Sequence, residues 1–181
     1  MAAYKEIIFA GSGGQGVLTV GLLMAEMALF KGLHATWIPQ YGSAMRGGTA
    51  NCTVKFSESY IYNPSQEEAD LLLAMNEPSF QKFLPMVKEG GTIVINSDLV
   101  DPAKCTRTDV KLIAVPCSSM AKELGHMLGA NIIMAGVVVK ATGEFTEEEA
   151  LNGMNQVFRK KGKEKYETLN SSALRAGFGF I

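Results

Sequence analysis

A chain of 181 residues that is 47% hydrophobic and 19% charged can bury most of its apolar surface in one domain spanning residues 1–181, without disulfide staples. Its formal net charge of -1 excludes a broad electrostatic pull towards nucleic acid or a membrane surface, so a charged ligand has to be met by local groups. Three cysteines, Cys52, Cys105 and Cys117, stand far apart with no C-x-x-C spacing. That argues against a disulfide framework, an iron–sulfur site or a zinc site, assigns no metal to the chain, and fits a reducing cytoplasm.

Lys5 and Glu6 precede only a short apolar run, which gives no signal-peptide pattern. Ile7 to Ala10 reads as a first strand, Gly11 to Gly16 as a glycine-rich turn, and Val17 to Phe30 as a helix stopped at Gly32. Val17, Leu18, Val20, Leu22, Leu23, Met24, Met27, Leu29 and Phe30 leave that helix almost no polar face. Thr19, Glu26 and its short length rule out a bilayer span. His34 to Pro39 reads as a second strand, Gln40 to Gly48 as a loop, Thr49 to Phe56 as an alternating third strand, and Tyr60-Ile61 as a short extended piece.

Asp70 to Met75 is the apolar run of a central strand covered on both faces. Asn76 then caps a helix with Pro78 near its first position, expected to run to Lys88 and to stop at Gly90-Gly91. Thr92 to Asn96 and Val110 to Val115 are further strands, and Pro116 to Ser119 opens a helix ending near Gly125. Asn131 to Lys140 is apolar nearly all round and ends at Thr142-Gly143. Thr146, followed by Glu147, Glu148 and Glu149, opens an amphipathic helix to about Lys160. A last helix runs from Lys163 to Leu174 before a Gly177-Phe178-Gly179-Phe180 tail. Strands alternating with helices imply an α/β fold: a three-layer, Rossmann-like, doubly wound sheet, mostly parallel, with helices on both faces.

The turn Gly11-Ser12-Gly13-Gly14-Gln15-Gly16 fits G-x-G-x-x-G between a strand and a helix. The helix's unsatisfied amide groups and its dipole favour an anion there, the dipole being worth about 0.3–1 kcal/mol. Two readings stand side by side: a phosphate-bearing or partner-facing loop, and a tight turn with no ligand. An ordinary dinucleotide site also needs an Asp or Glu about 20 residues on. The stretch His34-Ala35-Thr36-Trp37-Ile38-Pro39-Gln40 has none, so the turn fits phosphate better than NAD.

A second segment, Tyr41-Gly42-Ser43-Ala44-Met45-Arg46-Gly47-Gly48-Thr49-Ala50-Asn51-Cys52, combines an arginine, a tyrosine and flexible glycines between two strands. Arg46 can fork a carboxylate or phosphate with bonds worth about 1.5–3 kcal/mol. An internal ion pair of Arg46 is the competing reading, and the residues alone leave the two open.

Taken together, G-x-G-G-Q-G-V and the later Y-G-x-x-x-R-G-G-T-A-N-C resemble the gamma subunit of the 2-oxoacid:ferredoxin oxidoreductases. Asn131, the Thr142-Gly143 turn and the acidic helix start at Glu147 extend the resemblance over nearly the whole chain. The R-G-G-T-A-N form is similar to that of the 2-oxoglutarate and branched-chain (2-oxoisovalerate) enzymes. Ala44 departs from the glutamate usual at that place, which removes any contact made there.

The resemblance implies a non-catalytic subunit of an oxidoreductase that acts on an oxo group with an iron–sulfur protein as acceptor. Alpha and beta subunits would hold thiamine diphosphate, and the beta or a ferredoxin-like delta subunit would hold the iron–sulfur clusters. The complex would convert a 2-oxoacid, CoA and oxidised ferredoxin to an acyl-CoA, CO2 and reduced ferredoxin, with 2-oxoglutarate as the first expectation. This chain would bind no cofactor alone; it would cover the active-site cleft and share CoA through Gly11, Ser12, Gly13, Gly14, Gln15, Gly16, Tyr41, Arg46, Gly47, Gly48 and Asn51. The rival readings are a stand-alone nucleotide-binding or sensing module, and the corresponding subunit of an indolepyruvate or branched-chain oxoacid enzyme.

His34 and His126 are read as structural, with no ligand pattern around either. The run Arg159 to Lys165 is read as a solvated helix end, with an acidic ferredoxin or CoA phosphates as the alternative partners. Met24, Met27 and Met134 lie on the two helices without a polar face, so another chain is expected to cover at least one of them. Association of the isolated chain as a homodimer is compatible with that expectation.

Overall fold

The computed structural model describes residues 4–41 and 48–181. In chain order these form β1 (Lys5–Ser12), α1 (Val17–Phe30), β2 (His34–Tyr41), β3 (Thr49–Ser57), β4 (Ala69–Ala74), α2 (Glu77–Phe83), β5 (Val87–Asn96), β6 (Lys111–Val115), α3 (Cys117–Glu123), α4 (Ala130–Thr142), α5 (Glu147–Lys160) and α6 (Glu167–Phe178). The strands build a six-stranded sheet in the order β2-β3-β1-β4-β5-β6. β3 runs antiparallel to both β2 and β1, whereas β1, β4, β5 and β6 pair in parallel. The mostly parallel α/β fold expected from the alternation is therefore present, with one reversed strand inserted beside β1.

Both faces of β1 are covered, which is why it reads as an unbroken apolar run. Ile7 and Phe9 enter a core under α1, α3, α4, α5 and α6, while Ile8 and Ala10 enter a smaller one with Phe80, Phe83 and Leu84. Each such fully buried Ile or Phe contributes roughly 1.5–3 kcal/mol. The helices are unequally divided. α2, the following 3₁₀ turn and the segment around Val100 cover the second face.

Helix α4 sits at the centre of the thick layer, and residues 132–139 are all buried. It lies against α6 at a glycine crossing: a Cβ on Gly136 or on Gly177 would collide with the backbone of the opposite helix at Leu174 or Ile133. This crossing corrects one expectation. Gly177 lies inside α6 and not in a tail, because a residue without a side chain is what the contact demands. Met24, Met27 and Met134 are at most 2% exposed, so the chain itself buries these three methionines, while Leu29 and Phe30 at the end of α1 remain 51% and 42% exposed.

Three other expectations change. The helix capped by Asn76 ends at Phe83, since Pro85 lies in a 3₁₀ turn at Leu84–Met86, and residues 87–91 join β5 through an irregularity in its pairing with β4. Gly90 and Gly91 are thus strand residues, not a helix stop. Gln40 and Tyr41 continue β2 and pair with Asn51 and Ala50. Tyr60-Ile61 forms no strand; its segment is held to the sheet by side chains. Lys55, fully buried on β3, places its ammonium 2.7 Å from Glu67 Oε2, 3.3 Å from Glu6 Oε2 and 3.2 Å from the Asn63 carbonyl. Burial alone would lower the Lys55 pKa, but Glu67 and Glu6 hold it above its ordinary value.

The α4–α6 crossing generates a direct test. Gly177→Ala is expected to lower the unfolding free energy by about 2 kcal/mol or more, through overpacking against the Ile133 carbonyl. Urea unfolding checks it, and an unchanged midpoint would remove the crossing as a constraint.

Candidate functional site: the glycine turn at the carboxyl end of β1

The chain leaves β1 towards α1 on one face and leaves β4 towards α2 on the other. The carboxyl ends of these two parallel neighbours form the switch point of the sheet, where open α/β sheets receive ligands. The glycine turn occupies this place. Gly16 is the N-cap of α1 with φ 72°, a left-handed conformation that a side chain would strain, and a Cβ there would collide with the amide of Asn131. No side chain caps α1 and no acid lies in its first turn, which leaves the positive end of its dipole unanswered among the described residues.

Gln15 fastens the turn to the sheet. Its Oε1 accepts from the Ser12 N–H and from Asn76 Nδ2, both at 2.8 Å, and its Nε2 donates to the Met75 carbonyl at 3.1 Å. Asn76 Nδ2 also donates to Ser12 Oγ at 2.8 Å, while its Oδ1 accepts from Ser79 N–H at 3.0 Å to cap α2. Asn76 was legible as a cap; its second role, tying the turn to the end of β4, left no signal in the spacing. The inner side of the turn is thus filled by Gln15, and a ligand has access from the outer side, where Gly14 is exposed.

The two sequence motifs meet here. The Gly13 N–H donates to the Gly48 carbonyl at 2.9 Å, and Ser12, Gly11 and Ala10 stand opposite Thr49, Ala50 and Asn51. Tyr41 pairs with Ala50 from the other side and is 66% exposed. Asn51 is buried within the sheet and not presented on its rim. Arg46 and Gly47, with Ala44, lie outside the described residues. Because β3 separates β2 from β1, the end of β2 is not the neighbour that carries a ribose-binding acid in a dinucleotide site, and Gln40 and Tyr41 there are uncharged.

Beside the turn, Asn131 Nδ2 donates to the Gly16 carbonyl at 3.4 Å. A groove of about 260 Å³ opens there between Thr19, His126, Asn131 and Lys163. His126 Nε2 is 2.9 Å from Asn170 Oδ1, a contact within the fold. Arg159 pairs with Glu167 at 3.0 Å and Lys160 with Glu26 at 3.8 Å, so these two cations of the basic run are met inside the chain. Burial pushes the Cys52 and Cys117 thiols up to about 12, which keeps them protonated and unreactive.

The described residues form a Rossmann-like α/β module with an uncapped glycine turn at its switch point. The profile of the pyruvate ferredoxin/flavodoxin oxidoreductase family matches residues 6–180, and the chain belongs to that family. Its relatives include subunits of ketoisovalerate oxidoreductase, 2-oxoglutarate synthase and indolepyruvate oxidoreductase. It is 36% identical over 172 residues to the ketoisovalerate oxidoreductase subunit VorA of Methanothermobacter marburgensis, covering 95% of this chain and 35% of that one. It is 33% identical over 145 residues to the 2-oxoglutarate synthase subunit KorC of Methanothermobacter thermautotrophicus, covering 77% of each. The crystal structure of a keto/oxoacid ferredoxin oxidoreductase gamma subunit from Geobacter sulfurreducens superposes with a TM-score of 0.81 at 30% identity, over 97% of this chain and 96% of that one. The chain spans about a third of the length of the VorA relatives it matches.

The Gly16–Asn131 contact is tested by a double-mutant cycle. Gly16→Ala is expected to cost roughly 1–3 kcal/mol more in the native background than in Asn131→Gly, because the truncated partner relieves the collision and leaves only the strain of φ. Equal costs in chemical unfolding would show that the two do not touch.

Proposed function

We propose that this chain is the non-catalytic gamma component of a 2-oxoacid:ferredoxin oxidoreductase complex of the cytoplasm. In this reading alpha and beta subunits, with a delta subunit where one is present, carry the thiamine diphosphate and the iron–sulfur clusters and pass electrons to ferredoxin. The chain closes over their active-site cleft and offers the outer side of the glycine turn, with Tyr41 and the Arg46 segment, to the phosphates of CoA. The observation that carries the reading is the 2.9 Å hydrogen bond from Gly13 to Gly48, which joins both motifs into one rim at the uncapped end of α1.

The chemistry of that rim fits a coenzyme phosphate. Its donors are backbone N–H groups and a helix dipole, no acid opposes them in the first turn of α1, and the sequence carries Arg46, a residue type that forks phosphates, two positions before Gly48. The chain would bind and orient the coenzyme and exclude water, while the bond-making groups lie in the partners. For the oxoacid we propose 2-oxoglutarate, supported by the KorC relatives that align over more than three quarters of this chain. A branched-chain oxoacid is the second reading, favoured by the 36% identity to VorA.

In the assembled complex, the double variant Gly13→Val plus Arg46→Ala is expected to raise the KM for CoA by roughly 10- to 100-fold, the equivalent of one lost charge-assisted contact and an obstructed turn, with little change in the KM for the oxoacid. Steady-state kinetics with a low-potential acceptor and a panel of oxoacids checks both halves. An unchanged KM for CoA would contradict the coenzyme role, and 3-methyl-2-oxobutanoate outrunning 2-oxoglutarate would select the second reading.

A further inference from the structure

The groove beside the glycine turn is lined by groups that the fold does not use. Lys163, in the connection between α5 and α6, has no ion-pair or hydrogen-bond partner for its ammonium among the described residues, whereas Arg159 and Lys160 of the same basic run are paired. It lines the groove with Phe158 and Tyr166, and no carboxylate lines it. Asn170 is only 4% exposed and lines the groove as well. One end of its amide is taken by His126 at 2.9 Å, and the other end has no partner among the described residues. A buried amide left half-satisfied is costly, so a hydrogen-bonding group in the groove is favoured.

The remaining lining is apolar. Ile132 is buried, and Leu128 is 84% exposed on a tight turn closed by the Gly129 N–H on the His126 carbonyl at 2.7 Å. Aliphatic and aromatic side chains around a free amide end, with one unshared cation and no acid, suit a flat heterocycle that carries a phosphate. Adenine presents both an acceptor and a donor along one edge, N7 and N6–H2, and so satisfies the Asn170 amide whichever way it is turned. The groove also opens directly from the turn. Asn131 lines it while donating to the Gly16 carbonyl, and Thr19 lines it three residues into α1, roughly 4.5 Å along the helix axis from Gly16. A phosphate at the turn and a base in the groove are thus separated by about the span of a sugar ring.

We propose that this groove receives the adenosine end of CoA, with the base against Leu128, Phe158 and Tyr166 and within reach of Asn170, and with the 3′-phosphate on the Lys163 ammonium. The inference rests on the reading that this chain meets CoA, and it gives the two anionic parts of the coenzyme separate receivers: the turn for the diphosphate, Lys163 for the 3′-phosphate. A phosphomonoester carries about −1.5 to −2 charges near neutral pH, so an unshared ammonium there separates CoA from 3′-dephospho-CoA.

The test is steady-state kinetics of the assembled complex with both coenzymes. Lys163→Met is expected to narrow the ratio of the KM for 3′-dephospho-CoA to the KM for CoA by roughly 5- to 10-fold, while Lys163→Arg keeps it. Leu128→Asp, at an exposed position, is expected to raise the KM for both coenzymes and to weaken competitive inhibition by adenosine 3′,5′-bisphosphate by a similar factor. A native ratio near one, an unchanged ratio in Lys163→Met, or inhibition untouched by Leu128→Asp would overturn the proposal. The Gly13→Val plus Arg46→Ala variant separates this proposal from the reading beneath it. If that variant raises the KM for CoA while Lys163→Met keeps the ratio, the groove alone is wrong. If it leaves the KM unchanged while Lys163→Met narrows the ratio, the groove stands and the turn loses its coenzyme role; if neither responds, both fall.

Discussion

The hydrogen bond between the Gly13 N–H and the Gly48 carbonyl joins two stretches that the chain separates by a helix and a strand. It exists because β3 runs antiparallel to β1, bringing the beginning of β3 beside the end of β1. A parallel β3 would have sent Gly48 and Thr49 to the far rim. The reversed strand is therefore what brings Gly48 and Thr49 beside the glycine turn, where the α1 dipole is open. The Gln15 and Asn76 side chains then fix the turn against the end of β4, so its amides are held in place before any ligand arrives.

Behind that rim, the thick layer supplies rigidity. α4 is buried from residue 132 to 139, meets α6 through paired glycines and reaches the turn with Asn131. The buried Lys55 with its two carboxylates performs a comparable task at the other rim, where it holds the segment 58–68 across the sheet. A buried charge left alone costs several kcal/mol, so these carboxylates and the lysine depend on one another.

Much of this arrangement was legible in the residues. The capping box at Thr146 and Glu149 and the cap at Asn76 were visible because capping is decided within four residues. The central strands announced themselves by apolar runs, and the glycine turn by its spacing. Strand direction was not visible, because alternation reports which side faces in and not which way the strand runs. The true ends of α2 and α6 were hidden for a related reason. Pairing with β4 draws residues 87–91 into a strand despite two glycines, and the crossing with α4 makes Gly177 a helix residue. Of the site, Gly11 to Gly16 and the position of Tyr41 and Gly48 were readable; the Gln15–Asn76 clamp was not, since it depends on side chains 61 positions apart.

The central claim, that the glycine turn and the segment after Tyr41 form one coenzyme-facing rim, is tested most directly by hydrogen exchange in the assembled complex with and without CoA. The account predicts that peptides covering residues 11–18 and 41–50 gain protection together when CoA is added, while those covering residues 57–68 do not change. Protection confined to other subunits, with both segments of this chain exchanging as before, would contradict it.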